Sequence, residues 1–249
     1  MAHFLRCEDI VRMDSAGGSA CEGRDPQHQA VMRLRGKILN TENKSVDKIL
    51  HNEEIKGLVA AIGGGIGKDF DVSKIRYDKI IIMTDADLDG GHIRCLCLVF
   101  FWKHMKELVK QGHVYIANPP LYRIKRGDKL VCFIRNEKEL AKWMDSEIRK
   151  NYEVPKNWKF DPNNSEHTDM ALNGRSIQRI KGLGEMNPED LYETTMKVGS
   201  RTLTKVEIDP EWTDEDIDNN FKLLLGGDQS VEERKNFIKE QALNAEIDG

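Results

Sequence analysis

The sequence contains no apolar run approaching the roughly 18 residues that a membrane span requires. A membrane-spanning helix is therefore excluded. Its first residues, Met1-Ala-His-Phe-Leu-Arg-Cys7, lack the basic start and long apolar stretch of a signal peptide, so the expected address is cytoplasmic. Cysteine is scarce, and Cys7, Cys21, Cys95, Cys97 and Cys132 form no C-x-x-C pair. Reduced thiols are expected rather than a zinc site or a disulfide framework. An excess of positive charge is missing too: with a net charge of −4, any nucleic-acid contact must come from local basic patches. The absence of G-x-x-x-x-G-K-[ST] removes a P-loop nucleotide site, and there is no internal repeat or low-complexity segment. What is present is an ordinary soluble composition, 39% hydrophobic and 32% charged over 249 residues. That length suffices for one large domain or two modest ones.

The first half alternates apolar strand-like runs with helical patterns, which predicts an α/β fold with a parallel sheet covered by helices. Candidate strands are Asp9–Met13, Lys79–Met83 and His113–Asn118. Ile80-Ile81-Ile82-Met83 is continuously apolar, as a strand buried on both faces should be. A helix is predicted over Glu53–Ile62, a second from about Gly91 to Lys110 closed by Gly112, and a third over Glu137–Arg149. Gly127-Asp128 reads as a hairpin turn between Leu121–Lys125 and Lys129–Ile134. The polar stretch Pro155–Asn173 is the best candidate for a linker or variable loop. Beyond it, Ser176–Ile180 and Thr202–Ile208 read as strands, and the remainder reads as mostly helical. Asn187-Pro188, Thr213-Asp-Glu-Asp216 and Ser230-Val-Glu-Glu233 supply helix-start signals, the last two resembling capping boxes. The expected division is 1–125 as the α/β domain, 126–175 as hairpin, helix and linker, and 176–249 as a tail region.

Thr84-Asp85-Ala86-Asp87-Leu88-Asp89-Gly90-Gly91 follows the most buried strand and precedes a long helix. In open α/β sheets, ligands bind at that carboxyl end of a strand. Asp85 and Asp87 are two residues apart, so an extended backbone would project both carboxylates to one side, with Asp89 beginning the next turn. A hard divalent cation relieves the repulsion among such anions; Mg²⁺ typically takes one or two carboxylates and fills its remaining positions with water and phosphate oxygens. The alternative is a solvated acidic turn in which Asp89 merely caps the helix.

Asp14-Ser15-Ala16-Gly17-Gly18 follows the first strand, and its small residues permit close approach of backbone or phosphate, although a ligand-free tight turn has the same composition. Gly63-Gly64-Gly65-Ile66-Gly67 follows a helical pattern rather than a strand and reads as a helix exit, not a dinucleotide loop. Arg24, Arg33, Arg35 and Lys37 form one basic group, and Arg175, Arg179 and Lys181 another. Either could line a phosphate backbone or be a solvated face. His92, His104 and His113 have no spacing that joins them into a metal site.

Several motifs, in order, resemble one family. Asp14-Ser-Ala-Gly-Gly-Ser-Ala20, Gly23-Arg-Asp25, Leu34-Arg-Gly-Lys-Ile-Leu-Asn40, Ile82-Met-Thr-Asp-Ala-Asp-Leu-Asp-Gly90, Gly112-His-Val-Tyr-Ile-Ala117 and Pro119-Pro-Leu-Tyr122 are similar to the TOPRIM region of type IIA DNA topoisomerase B subunits. Lys181-Gly-Leu-Gly-Glu-Met-Asn-Pro188 and Phe237-Ile-Lys-Glu-Gln-Ala-Leu243 extend the resemblance to nearly the whole chain, and the last leans towards the gyrase branch rather than the topoisomerase IV branch. The resemblance implies a TOPRIM fold, a Rossmann-like parallel sheet flanked by helices, followed by a mixed, mostly helical tail. It implies Mg²⁺ held by Asp85 and Asp87, with Asp89 completing or orienting the site, and Asp14, Ser15, Gly17 and Gly18 shaping it. Arg24, Arg35, Lys37 and Lys181 would face double-stranded DNA. A partner A subunit would carry the nucleophilic tyrosine, and an ATPase-bearing part of the B subunit would supply the ATP dependence.

Two departures from the family pattern stand out. Where the family has Glu-Gly before Asp-Ser-Ala-Gly-Gly, this sequence has Arg12-Met13. Arginine stays protonated and neither ligates a cation nor serves as a base. No ATPase-type segment precedes the motif, which implies a fragment, a split-gene product of the kind some phages carry (in which case the host cytoplasm is the address), or a decayed copy. Two functional expectations follow: a cleavage-supporting topoisomerase part that is inactive alone, or a non-catalytic DNA- or partner-binding module that has lost cleavage through Arg12. A primase-like or nuclease-like enzyme acting alone is disfavoured by the long tail.

Overall fold

The computed structural model describes residues 7–13, 17–34, 37–227 and 230–241. In chain order its first half comprises β1 (Cys7–Met13), α1 (Gly17–Gly23), β2 (Gln29–Arg33), α2 (Val46–Ile49), α3 (Glu53–Ile62), β3 (Tyr77–Ile82), α4 (Leu88–His104), α5 (Lys106–Lys110) and β4 (Val114–Ala117). There follow β5 (Tyr122–Arg126), β6 (Lys129–Ile134), α6 (Glu137–Asn151), α7 (Ser165–Leu172), β7 (Ser176–Arg179), α8 (Pro188–Leu191), β8 (Leu203–Lys205), α9 (Asp214–Leu225) and α10 (Val231–Gln241). Two sheets organise these elements. The larger has the order β2-β1-β3-β4-β8 and the smaller β6-β5-β7. Strands β1 to β4 are mutually parallel, while β8 pairs antiparallel with β4 and closes that edge.

The apolar run in β3 explains its central place. Ile80, Ile81, Ile82 and Met83 are all buried. Ile80 and Ile82 face a core built with α3 and α4, while Ile81 and Met83 face a second core containing Ala20 of α1, Ile180, Leu183 and Leu191. Alternate residues thus serve opposite layers, as a strand covered on both sides requires. Because β2 lies on one side of β1 and β3 on the other, the direction of strand addition reverses between β1 and β3. A crevice at the carboxyl ends of those two strands is the consequence.

Several elements depart from expectation. Strand β2 is not foreseen by the sequence pattern, because Gln29–Arg33 has little apolar periodicity of its own and is recruited by register with Asp9–Met13. The helix expected over Gly91–Lys110 begins at Leu88 and breaks at Met105, whose φ of −144° and ψ of 47° separate α4 from α5. No Gly or Pro marks that break; burial of Met105, Leu108 and Val109 in the main core redirects the chain. The stretch expected as a linker holds α7, capped by Asn164 and packed on α6 through Ala171 and Ile148. The Ser230 hydroxyl donates to the Lys222 carbonyl at 2.9 Å, tying α10 to the end of α9 rather than capping its own helix. The capping box at Thr213 is present as expected, and Gly63, Gly64 and Gly65 leave α3 with positive φ.

Residues 176–249 contribute β7 to the small sheet and β8 to the large one. Helix α9 docks on α4 and α5 through Trp102 Nε1 to Asp218 at 2.9 Å, Lys103 to Asp218 at 2.8 Å and Lys110 to Asp214 at 2.8 Å. Among the described residues no helix is long and apolar enough to cross a membrane.

Phe100 is fully buried in α4. Its truncation to alanine should cost about 3–5 kcal/mol through lost transfer energy and a residual cavity. Leu130→Ala, at a side chain 44% exposed, should change stability by less than about 0.5 kcal/mol. Urea unfolding of the two variants checks the contrast.

Candidate functional site

The crevice at the end of β3 is built around one close approach. A Cβ placed on Gly90, in the first turn of α4, would lie 2.1 Å from the Asp85 carbonyl oxygen. Only glycine lets the helix start so near the strand end. The Gly90 N–H donates to Asp87 Oδ1 at 2.7 Å, making Asp87 the N-cap of α4. This role is open to Asp89 in the sequence; Asp87 takes it because the chain bends between β3 and α4. Asp85 is held from elsewhere: the Leu183 N–H, in the short turn after β7, donates to Asp85 Oδ1 at 2.8 Å. Asp89, in the first turn of α4, pairs with Lys37 Nζ at 2.7 Å. That ammonium, through hydrogen bonding and then Coulombic attraction, holds the Asp89 carboxyl below the usual carboxylate range.

The three carboxylates are thus distributed among three partners. Among the described residues no three His, Cys, Asp or Glu side chains stand together as a metal cage. Two carboxylates nevertheless suit a cation that completes its shell with water and phosphate oxygens. Asp87 gives one oxygen to the Gly90 N–H, the Leu183 N–H is among the partners of Asp85, and ionised carboxylates are hard, acceptor-only oxygen donors. Asp85 and Asp87 therefore fit a hard divalent cation chemically, whereas Asp89 is engaged by Lys37.

The other sequence candidates separate by environment. Lys37 and Lys181 are exposed, and Lys181 immediately precedes the Gly182-Leu183 turn that holds Asp85. The Arg24 guanidinium donates to the Cys21 carbonyl, folding back on α1. Arg175 is committed to Glu147 at 2.7 Å and stacks near Trp143, so it braces α6 against the β7 end. Gly17 is buried beside the Arg33 side chain, while Gly18 is exposed. Asp14, Ser15 and Arg35 lie outside the described residues. The backbone of Arg12 sits in register with Ile82, near the carboxyl end of β1. His113 Nδ1 contacts the Asp78 carbonyl at 2.8 Å, and the ring of His104 is buried. Sequence reasoning misses Gly90, Gly182 and Leu183 as positioning residues; Gly182 and Leu183 lie nearly a hundred positions from Asp85, and only folding joins them.

Comparison with known proteins agrees with this architecture. A Toprim domain profile matches residues 10–119, and a DNA gyrase carboxyl-terminus profile, that of the B subunit, matches residues 173–239. The first part of the chain is thus a Toprim domain. The DNA gyrase B protein of Clostridium acetobutylicum is 48% identical over 233 residues, 94% of this chain and 32% of its own length. The gyrase B proteins of Thermotoga maritima and Thermus thermophilus are each 46% identical, over 94% and 96% of this chain and 32% and 34% of theirs. The chain belongs with the B subunits of type IIA topoisomerases of the gyrase kind and corresponds to their C-terminal portion. It spans about a third of the length of the curated relatives it matches.

Gly90→Ala should destabilise the chain by roughly 1–3 kcal/mol through overpacking. Gly91→Ala, whose Cβ would meet nothing nearer than Arg94 Nη2 at 3.7 Å, should be tolerated. Thermal melts of both variants decide this. The Lys37–Asp89 pair predicts a titration with a definite sign. With its folded pKa depressed, Asp89 adds stability above its unfolded pKa and loses it as pH falls through the folded value. Carboxyl ¹³C NMR should show Asp89 titrating below the ordinary value in the wild type and close to it in Lys37→Ala.

Proposed function

We propose that this chain is the metal-holding and DNA-facing part of a type IIA topoisomerase, supporting double-strand DNA cleavage and religation within a larger cytoplasmic complex. The observation that carries the reading is the fixing of Asp85 and Asp87 at the switch-point crevice by backbone amides of two separate segments, Leu183 and Gly90. Such anchoring limits the side-chain freedom that would otherwise be lost on binding a cation. Asp85 and Asp87 would hold Mg²⁺, and Lys37 would orient or release Asp89. A bound Mg²⁺ supplies stabilisation of charge developing on a phosphate and its leaving oxygen. Lys37 and Lys181, with Arg24 and Arg35, would line the DNA backbone and contribute salt-dependent, sequence-independent affinity. The nucleophilic tyrosine belongs to a partner A subunit and ATP hydrolysis to an ATPase-bearing part of the B subunit, so cleavage requires both.

A second reading rests on Arg12. Its backbone lies one strand from the segment bearing Asp85, at the position where the resemblance expects glutamate. A guanidinium there adds positive charge and no base. On this reading the chain binds DNA or its partners without supporting cleavage.

Mg²⁺-dependent cleavage of supercoiled DNA, measured after mixing with an A subunit and an ATPase-bearing partner, separates the two. Under the first reading the unaltered chain supports cleavage, and Asp85→Ala and Asp87→Ala each reduce it by about 100-fold or more, the scale of losing a metal's electrostatic contribution. Cleavage by Arg12→Glu with none by the unaltered chain would establish the second. Undiminished cleavage by both aspartate variants would sink the metal assignment.

A further inference from the structure

A cleft of about 360 Å³ opens at the carboxyl ends of β3 and β4, and Asp85, Asp87 and Asp89 are not among its walls. Its polar lining is Thr84, Arg94, Asn118, Arg135, Glu139 and Thr202, with Asn136 at the start of α6. Thr84 is 5% exposed, and its Oγ1 has no hydrogen-bond partner among the described residues. A buried hydroxyl left unsatisfied is costly, and its retention points to something that satisfies it. Arg94, on the second turn of α4, is half-buried, and its guanidinium makes no hydrogen bond or ion pair among the described residues. Arg135 is held in place instead: Glu139 takes its Nε at 2.9 Å, and its Nη1 donates to Thr202 Oγ1 at 3.0 Å. Asn118 Nδ2 is committed to Thr204 Oγ1 at 2.7 Å.

These groups define a ligand class. Two guanidiniums face one carboxylate, so the cleft carries a surplus positive charge that a neutral ligand or a water would leave uncompensated. A cation is disfavoured for the same reason. Arginine forks match tetrahedral and planar oxyanions, and the buried hydroxyl of a lining residue suits an oxygen-rich ligand better than an apolar one. We propose that this cleft is a phosphate-binding subsite, in which Arg94 and Arg135 grip the oxyanion and Thr84 Oγ1 donates to it. The phosphate comes either from solution, as orthophosphate or pyrophosphate, or from the backbone of bound DNA. Only the DNA source rests on the function proposed above.

Isothermal titration of the full chain with sodium phosphate, at constant ionic strength and without sulfate, tests the subsite. Saturable one-to-one binding is expected, weakened by about tenfold or more in Arg94→Gln, the scale of one charge-assisted hydrogen bond. Thr84→Val should melt at a higher temperature than the wild type without phosphate and gain less from adding it. That isosteric variant carries the test should Arg94→Gln lack a cooperative melt. Asp85→Ala, which removes a negative charge beside the cleft wall at Ala86, should not weaken phosphate binding, whereas loss of a metal ligand would weaken cation binding; the two sites are thereby separated. Duplex DNA added to the phosphate-loaded chain then assigns the source by ³¹P NMR: displacement supports the subsite with a DNA phosphodiester as its ligand, and retention supports it with free phosphate. No saturable binding to the wild type, equal binding to Arg94→Gln and Thr84→Val, or equal affinity for acetate would each overturn the proposal.

Discussion

The contact between Gly90 and the Asp85 carbonyl is the constraint on which the crevice depends. It sets how near α4 begins to the end of β3, and that distance leaves room only for a bend between Asp85 and Leu88. The bend in turn makes Asp87 the residue whose carboxylate reaches the first free amides of the helix. A longer connection would leave the N-terminal amides of α4 to solvent and Asp87 without its anchor. Leu88, 93% exposed between Asp87 and Asp89, is the apolar residue this arrangement leaves in water. The bend aims its flanking carboxylates at defined partners and has no buried position to offer between them.

Three carboxylates within five residues would repel one another in an ordinary turn. Here each anion meets a different positive or donor group. Asp87 meets the N-terminal amides of α4, where the helix dipole also favours negative charge. Asp85 meets the amide of Leu183, and Asp89 meets the Lys37 ammonium. This distribution allows the segment to fold without a cation. It also sets what a cation must compete with: the amide on Asp87 leaves its net charge intact, whereas the Lys37 ammonium neutralises that of Asp89, a distinction that spacing alone does not provide.

Features written in contiguous residues are legible without the fold. The four apolar residues ending β3, the Gly127 hairpin, the run of helix-exit glycines and the Thr213 cap all depend on neighbours within a few positions, where propensity and periodicity operate. Strand β2 and helix α7 are not legible, since each is selected by partners far along the chain: β2 by register with β1, α7 by burial against α6 and the Arg175–Glu147 pair. The aspartates can be picked out by their position after a buried strand. Their division of labour cannot, because it is decided by Leu183 and Lys37, which only tertiary structure brings near. Arg175 shows the converse: part of a basic patch in the sequence, it proves to be an internal brace, since a guanidinium can bury itself once it has a carboxylate and an aromatic face.

The same dependence on distant segments binds the two halves of the chain. The side chains of Asn40 and Asn43 donate to the carbonyls of Leu225 and Gly226 at the end of α9, and Gln29 of β2 donates to the Met196 carbonyl. Asn40 closes the segment that carries Lys37, and Gln29 opens the strand that flanks β1. A shift of the C-terminal segment would therefore reach the site by two routes, through Lys37 to Asp89 and through the Leu183 turn to Asp85. Among the described side chains, three aspartates and Lys37 leave two net negative charges at the crevice. That balance attracts a divalent cation and repels a bare phosphate, so the crevice's preference between them is set by a charge count that both halves of the chain hold in place.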